Sequence, residues 1–314
     1  MRYQARLVLA AALGAALALA GCGDGGGTEN GGTPPSQDVS ATADFPVTIG
    51  NLTVAEKPTK IVALSPTATE VLFAIGAGQQ VKAVDDQSNF PAEAPKSDLS
   101  AFQPNAEAIA AQEPDLVVLS NDMNNVVAQL TQLKIPVYVA PAGKTLDDTY
   151  KQITDIGAIT GNRPAAEDLA KRMREDVDKL VADVPKRATK LTYYYELGPE
   201  LYSLTSKTFV GSLFAQLGLE NIADAADADG SKGGYPQLSA EALVKADPDL
   251  IFLADTVCCK QNADTVKARP GWSGITAVKT GQIVGLNDDV ASRWGPRTVD
   301  LLRQIVDAVA KVPA

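Results

Sequence analysis

The chain has 314 residues, 45% of them hydrophobic, with 38 acidic against 28 basic residues and a net charge of −10. Phosphate backbones repel such an acidic surface, so nucleic acid is not an expected partner. Histidine is absent, which excludes a Ser–His–Asp triad and any His-based zinc or manganese centre, and neither a metal site nor a cofactor is expected.

Residues 1–21 read as a signal peptide. Arg2 and Arg6 provide the positive start, and Leu7 to Ala20 is an apolar stretch too short to span ~30 Å of hydrocarbon. "LALAGC" (Leu17–Cys22) resembles the lipobox of bacterial lipoproteins, which implies that Cys22 becomes the acylated first residue of the mature chain. A secreted protein with a chance cysteine and a signal anchor are the alternatives. Loss of the signal leaves 26 basic and 38 acidic residues, a charge of −12. Residues 22–44 are mostly Gly, Ser, Thr, Pro, Asp and Glu, with little to bury, and read as a flexible tether behind a lipid anchor.

The remaining ~270 residues suffice for two lobes. Across 45–161, strands are expected at Ile61–Leu64, Val81–Val84, Leu116–Leu119 and Val137–Val139. Helices are expected at Thr67–Ile75 and Leu146–Ile159, the second closed by Gly161. Residues 162–186 carry Leu169, Met173, Val177, Leu180, Val181 and Val184 at three- and four-residue steps, one apolar helix face between Pro164 and Pro185. Across 187–314, strands are expected at Leu191–Glu196, Leu250–Leu253 and Ile283–Leu286. This alternation predicts an α/β fold of mostly parallel sheets flanked by helices.

Two segments echo each other. "AEAIAAQEPDLVVLS" (Ala106–Ser120) and "AEALVKADPDLIFLA" (Ala240–Ala254) are identical at seven of fifteen positions, at a constant offset of 134. Each reads as a short helix, then Pro-Asp, then a buried strand. The period is a whole lobe, so the reading is two related lobes with the 162–186 helix as a rigid strut between them. A crossover helix within one domain is the alternative.

Enzymatic motifs are missing. "GWSGI" (Gly271–Ile275) is not G-x-S-x-G, and "APAGKT" (Ala140–Thr145) has Tyr138 where a phosphate loop needs its first glycine. Ligands of open α/β sheets bind beyond the carboxyl ends of strands. That rule selects Ser65, Pro66 and Thr67, then Asp86, Gln87 and Phe90, and in the second half Glu196, Tyr202, Asp255, Asp289, Arg293 and Trp294. Phe102, Tyr202, Tyr235 and Trp294 are candidates for the walls of a pocket for a broad, flat ligand. Asp85–Asp86 and Asp288–Asp289 read either as turn and cap residues or as carboxylates facing a cationic ligand. Tyr193, Tyr194 and Tyr195 alternate faces of a strand and cannot share one pocket. Adjacent Cys258 and Cys259 read as a strained vicinal disulfide, with two free thiols or a soft-metal contact as alternatives.

"IVALSPTATEVLFAIGAG" (Ile61–Gly78), "NFPAEA" (Asn89–Ala94), the two "PDL" segments and "SRWGPRTVDLL" (Ser292–Leu302) together resemble the class III substrate-binding proteins of ABC importers, over about residues 45–312. The resemblance implies two lobes joined by one long helix. It also implies that Glu107 and Glu241, at equivalent places in the repeat, meet arginines on a permease dimer; a preference for negative charge at helix N-termini is the other reading. Members bind cobalamin, haem or ferric siderophores, and related branches bind metal ions directly. Against the cobalamin branch, Phe102 and Tyr235 stand where tryptophan is usual, and Tyr202 matches a wall position. Pro66 and Thr67 match a backbone contact, Asp289 and Arg293 match polar rim contacts, and Gln87 replaces an aromatic. The implied protein is no enzyme. It is a monomeric extracytoplasmic lipoprotein, held at the cell membrane by its N-terminal lipid, that captures a cobalamin-like corrinoid and delivers it to an ABC importer. A ferric siderophore or haem receptor is the alternative ligand reading. Alternatives of other classes are a cell-surface enzyme on a two-lobed α/β fold and a surface protein that binds another protein.

Overall fold

The structure, a computed structural model, describes residues 45–313. The signal peptide, Cys22 and the tether expected over residues 1–44 therefore lie outside the described residues. A small antiparallel hairpin comes first, β1 (Val47–Ile49) and β2 (Leu52–Val54), turning through Gly50 at φ +57. It was not expected from the sequence, because three-residue strands carry too few positions to show an alternation.

The first lobe follows as β3 (Ile61–Leu64), α1 (Pro66–Ala74), β4 (Val81–Val84), α2 (Ala106–Ala110), β5 (Leu116–Leu119), α3 (Val126–Gln132), β6 (Val137–Val139) and α4 (Leu146–Ile159). Its four strands are parallel, in the order β4–β3–β5–β6. Next comes α5 (Arg163–Ala182), and then the second lobe: β7 (Thr192–Glu196), α6 (Phe209–Gln216), β8 (Glu220–Asn221), α7 (Ala240–Ala246), β9 (Leu250–Leu253), α8 (Ala263–Lys267), α9 (Thr276–Thr280), β10 (Ile283–Gly285), α10 (Asp288–Ser292) and α11 (Thr298–Lys311). Here too the sheet is parallel, in the order β8–β7–β9–β10. Both sheets thus use one plan: within each lobe the strands lie second, first, third, fourth. Strands β3, β5 and β9 are buried along their whole length, as parallel strands covered on both faces must be.

The sequence echo is also an echo of hydrogen bonds. Asp115 accepts from Thr59 N, Thr59 Oγ1 and Lys60 N, pinning the entry of β3 to that of β5. Asp249, 134 residues later, accepts from Thr192 N and Oγ1 and pins β7 to β9. The helices before these strands are capped alike, by Asn105 on Ala108 N and Ser239 on Ala242 N.

Helix α5 joins the lobes. Its twenty residues span ~30 Å. Met173 and Val177 are buried, with Leu169, Leu180 and Val181 packed beside them, while the opposite face is charged. It lies against α4 on one side and α11 on the other. The α4 contact is tight, since a Cβ at Gly157 would come within 2.2 Å of Ala166 Cβ. One hydrophobic core runs through this helix layer and continues into both sheets, while one smaller cluster fills the outer face of each lobe.

A buried ion cluster closes the same joint. Glu70 on α1 is 3% exposed, and its carboxylate receives Arg293 Nη1 at 2.8 Å, Arg297 Nε at 3.0 Å and Arg297 Nη2 at 2.5 Å. Both arginines belong to the segment between α10 and α11, so the cluster links the lobes across 223 and 227 residues. Thr149 Oγ1 adds a bond to the Trp294 carbonyl at 3.0 Å. Breaking a buried ion pair from one side costs about 3–5 kcal/mol, because the partner charge stays buried. Glu70→Ala should lower the urea midpoint by a corresponding amount, and Glu70→Gln by less, in equilibrium unfolding followed by circular dichroism.

Candidate functional site

The carboxyl ends of the strands carry loops that meet between the lobes. There a cavity of about 560 Å³ lies between the loop after β6 and segments of the second lobe. The first lobe contributes Ala142, Gly143 and Lys144. The second contributes Leu197 after β7, residues 207–210 at the start of α6, the glycine-rich loop ending at Tyr235, and Ser292 and Trp294 at the end of α10.

Local chemistry shapes each wall. Asp227 is buried and accepts from Lys232 N at 2.8 Å and Gly234 N at 2.7 Å, which folds "DGSKGGY" into a compact turn. Gly234 is required there: φ is +89, and a Cβ would meet Thr208 Cγ2 at 2.8 Å. Thr208 caps α6 by accepting from Gly211 N. Trp294 is held by its indole N–H, donated to Gln152 Oε1 at 3.2 Å.

Of the residues singled out in the sequence, Tyr235 and Trp294 line this cavity together. Phe102, Tyr202 and Phe90 are exposed rings at 67%, 47% and 44%, but they are not part of its lining. Arg297 covers Phe90, its guanidinium 4.3 Å from the ring centroid. Asp86 and Gln87 are exposed, and Pro66 is half-buried.

Several of those residues prove to be internal. Ser65 is buried and caps α1 by accepting from Ala68 N, while Thr67 is buried against Gly295. Arg293, expected at the rim, is 8% exposed, and its donors go to Glu70, Asn89, the Gln87 carbonyl and Asp289. Asp289 is held by Arg293 and Asn89. Glu196 is fully buried, gripped by two Arg269 bonds of 2.6 Å. Glu196 and Arg293 cannot reach a ligand without leaving their partners, whereas the Asp289 side chain stays 37% exposed. Tyr193 and Tyr195 face the main core and Tyr194 the outer one, as alternation requires.

Asp85 and Asp288 close turns: Asp85 accepts from Gln87 N and Ser88 Oγ, and Asp288 from Val257 N and Cys258 N. The vicinal disulfide is not formed. Cys258 and Cys259 are free, in keeping with a Cα spacing of ~3.8 Å between neighbours against ~4.4–6.8 Å in ordinary disulfides.

Lys144, Lys207 and Phe209 were missed. Lys144 belongs to "APAGKT", whose spacing fails for a phosphate loop although the loop still forms the first lobe's wall. Lys207 and Phe209 gave no sequence signal apart from their place before a helix.

The pattern of the periplasmic binding protein family matches residues 61–290. The chain belongs to that family. This periplasmic binding protein is 30% identical to the ABC transporter substrate-binding lipoprotein YvrC of Bacillus subtilis, over 96% of each chain. It is also 30% identical to a cobalamin-binding protein of Halobacterium salinarum, over 88% of this chain and 78% of that one. Its fold matches the periplasmic vitamin B12 binding protein BtuF of Vibrio cholerae, with a TM-score of 0.66 and 26% identity over 80% of this chain and 96% of that one. A possible iron-binding periplasmic solute-binding protein of Staphylococcus epidermidis matches at a TM-score of 0.70 and 26% identity, over 82% and 100%. This is a substrate-binding protein of the ABC-importer type. Members of the family bind solutes rather than transform them.

On the outer surface of this binding protein, Glu107 and Glu241 are exposed in the first turns of α2 and α7, at matching positions of the two lobes. Among the described residues no helix is long and apolar enough to cross a membrane.

Asp255, which follows β9, is fully buried, and neither of its carboxylate oxygens has a hydrogen-bond partner among the described residues. Burial and then the neighbouring Glu196 carboxylate push its pKa up to about 7. Between about pH 4, where an unfolded aspartate ionises, and about pH 7, the folded chain holds a proton that the unfolded chain has released. Stability therefore falls as pH rises through that window. The thermal midpoint should be lower at about pH 8 than at about pH 5, and Asp255→Asn should shrink the difference.

Proposed function

We propose that this binding protein captures a cobalamin-like corrinoid between its lobes and delivers it to the permease dimer of an ABC importer. The observation that carries the reading is the cavity at the strand ends, walled by Phe209, Tyr235 and Trp294. Aromatic faces suit a broad macrocycle because they bury large area at small conformational cost. The cobalamin-binding relative in Halobacterium salinarum and the vitamin B12-binding protein of Vibrio cholerae support the same ligand class. A ferric siderophore or haem is the second reading, favoured by the Staphylococcus epidermidis protein described as a possible iron-binding periplasmic solute-binding protein. With acylation at Cys22, the protein works as a tethered monomer on the outer face of the cell membrane.

Titration of the purified chain with cobalamin, haem and several ferric siderophores, followed by visible absorbance and calorimetry, tests the ligand. Saturable one-to-one binding of cobalamin is expected. Binding of haem or a siderophore with none of cobalamin would overturn the corrinoid reading. Docking has a separate test. Glu107→Arg combined with Glu241→Arg should abolish uptake into cells while leaving ligand affinity unchanged, since exposed charges steer and orient encounters between proteins.

A further inference from the structure

The cavity's charge is opposite to that of the protein. Acidic residues outnumber basic ones by ten across the chain, yet Lys144 from the first lobe and Lys207 from the second both line this one space. Neither ammonium has a carboxylate partner among the described residues; Lys207 Nζ reaches only the Ala228 carbonyl, at 3.3 Å. The single carboxylate in the lining, Asp227, is already committed to the amides of Lys232 and Gly234. Thr208, Phe209 and Val210 bring the N-terminus of the eight-residue α6 to the same wall, and a helix N-terminus carries partial positive charge.

We infer that the cleft reads an oxyanion on its ligand, a phosphate or carboxylate group, gripped between Lys144 of one lobe and Lys207 of the other. The inference rests on the cleft being the ligand site, but not on the ligand being a corrinoid. An aromatic wall alone accepts any flat apolar body, whereas two ammoniums on facing lobes select a body with an acidic group at its edge. They also make the charge count of the ligand matter to closure, since the grip needs both lobes. In cobalamin the acidic group is the nucleotide-loop phosphodiester; in haem it is the propionates.

Two ligand pairs distinguish these sources: cobalamin against cobinamide, which lacks the phosphodiester, and haem against its dimethyl ester. Each is titrated into the native chain and into Lys144→Ala/Lys207→Ala and Lys144→Arg/Lys207→Arg variants, with thermal melts as a folding control. The native chain should favour the acidic member of the pair it binds by about tenfold or more, the scale of a charge-assisted hydrogen bond. That preference should disappear in the double alanine variant, survive in the double arginine variant and weaken with added salt. A preference for haem over its ester, with no binding of cobalamin, overturns the corrinoid reading and supports the oxyanion grip. Binding without preference, or a preference unchanged by the alanine variant, overturns the grip. Failure of the native chain to bind any of the four overturns both.

Discussion

A carboxylate buried among apolar side chains is tolerable only when its charge is met, and Glu70 is met by two guanidiniums from the far end of the chain. That contact sits where α1, the loop after β4 and the segment before α11 converge, and it fixes the first lobe against the closing segment of the second. Around it the main core passes without interruption from one sheet to the other through α4, α5 and α11. This joint sets the strand ends of the two sheets opposite each other, and the cleft lies between their loops.

The two lobes repeat one topology but do not share the work of the cleft equally. Each has the same strand order and the same aspartate pinning its first strand to its third. The first lobe supplies a short loop bearing one lysine, whereas the second supplies the aromatic rings, the glycine turn and a helix N-terminus. Duplication explains the frame and the paired surface glutamates. The asymmetry arises in the loops, where backbone can change without disturbing the sheets.

Much of this frame was legible in the sequence. Runs such as "IVAL", "LVVL" and "LIFL" announce fully buried parallel strands, and the expected bounds of β3, β4, β5, β6 and β9 agree with the structure. Helix α4 was readable as Leu146–Ile159, closed by Gly161. The β1–β2 hairpin and the two-residue β8 were not, because so few residues carry no period. Site residues were harder. A charge just beyond a strand looks available for a ligand, but whether it is depends on partners far away in sequence. Glu196 is satisfied by Arg269, 73 residues on, and Arg293 by Glu70, 223 residues back. Nothing local to either residue encodes that pairing. Tyr235 and Trp294 were singled out as rings beyond strand ends, by the same signal that also selected Phe102 and Tyr202, which lie outside the cavity lining.

The neighbouring cysteines illustrate how a side chain can be accessible and yet inert. Hydrogen bonding to the Cys259 thiol, a small loss of hydration and the Asp288 carboxylate push the Cys258 pKa up to about 12. At neutral pH its thiol therefore stays protonated, and thiol–disulfide exchange runs through the thiolate. The same aspartate that closes the turn thus helps to keep Cys258 in its protonated, less nucleophilic form at the surface.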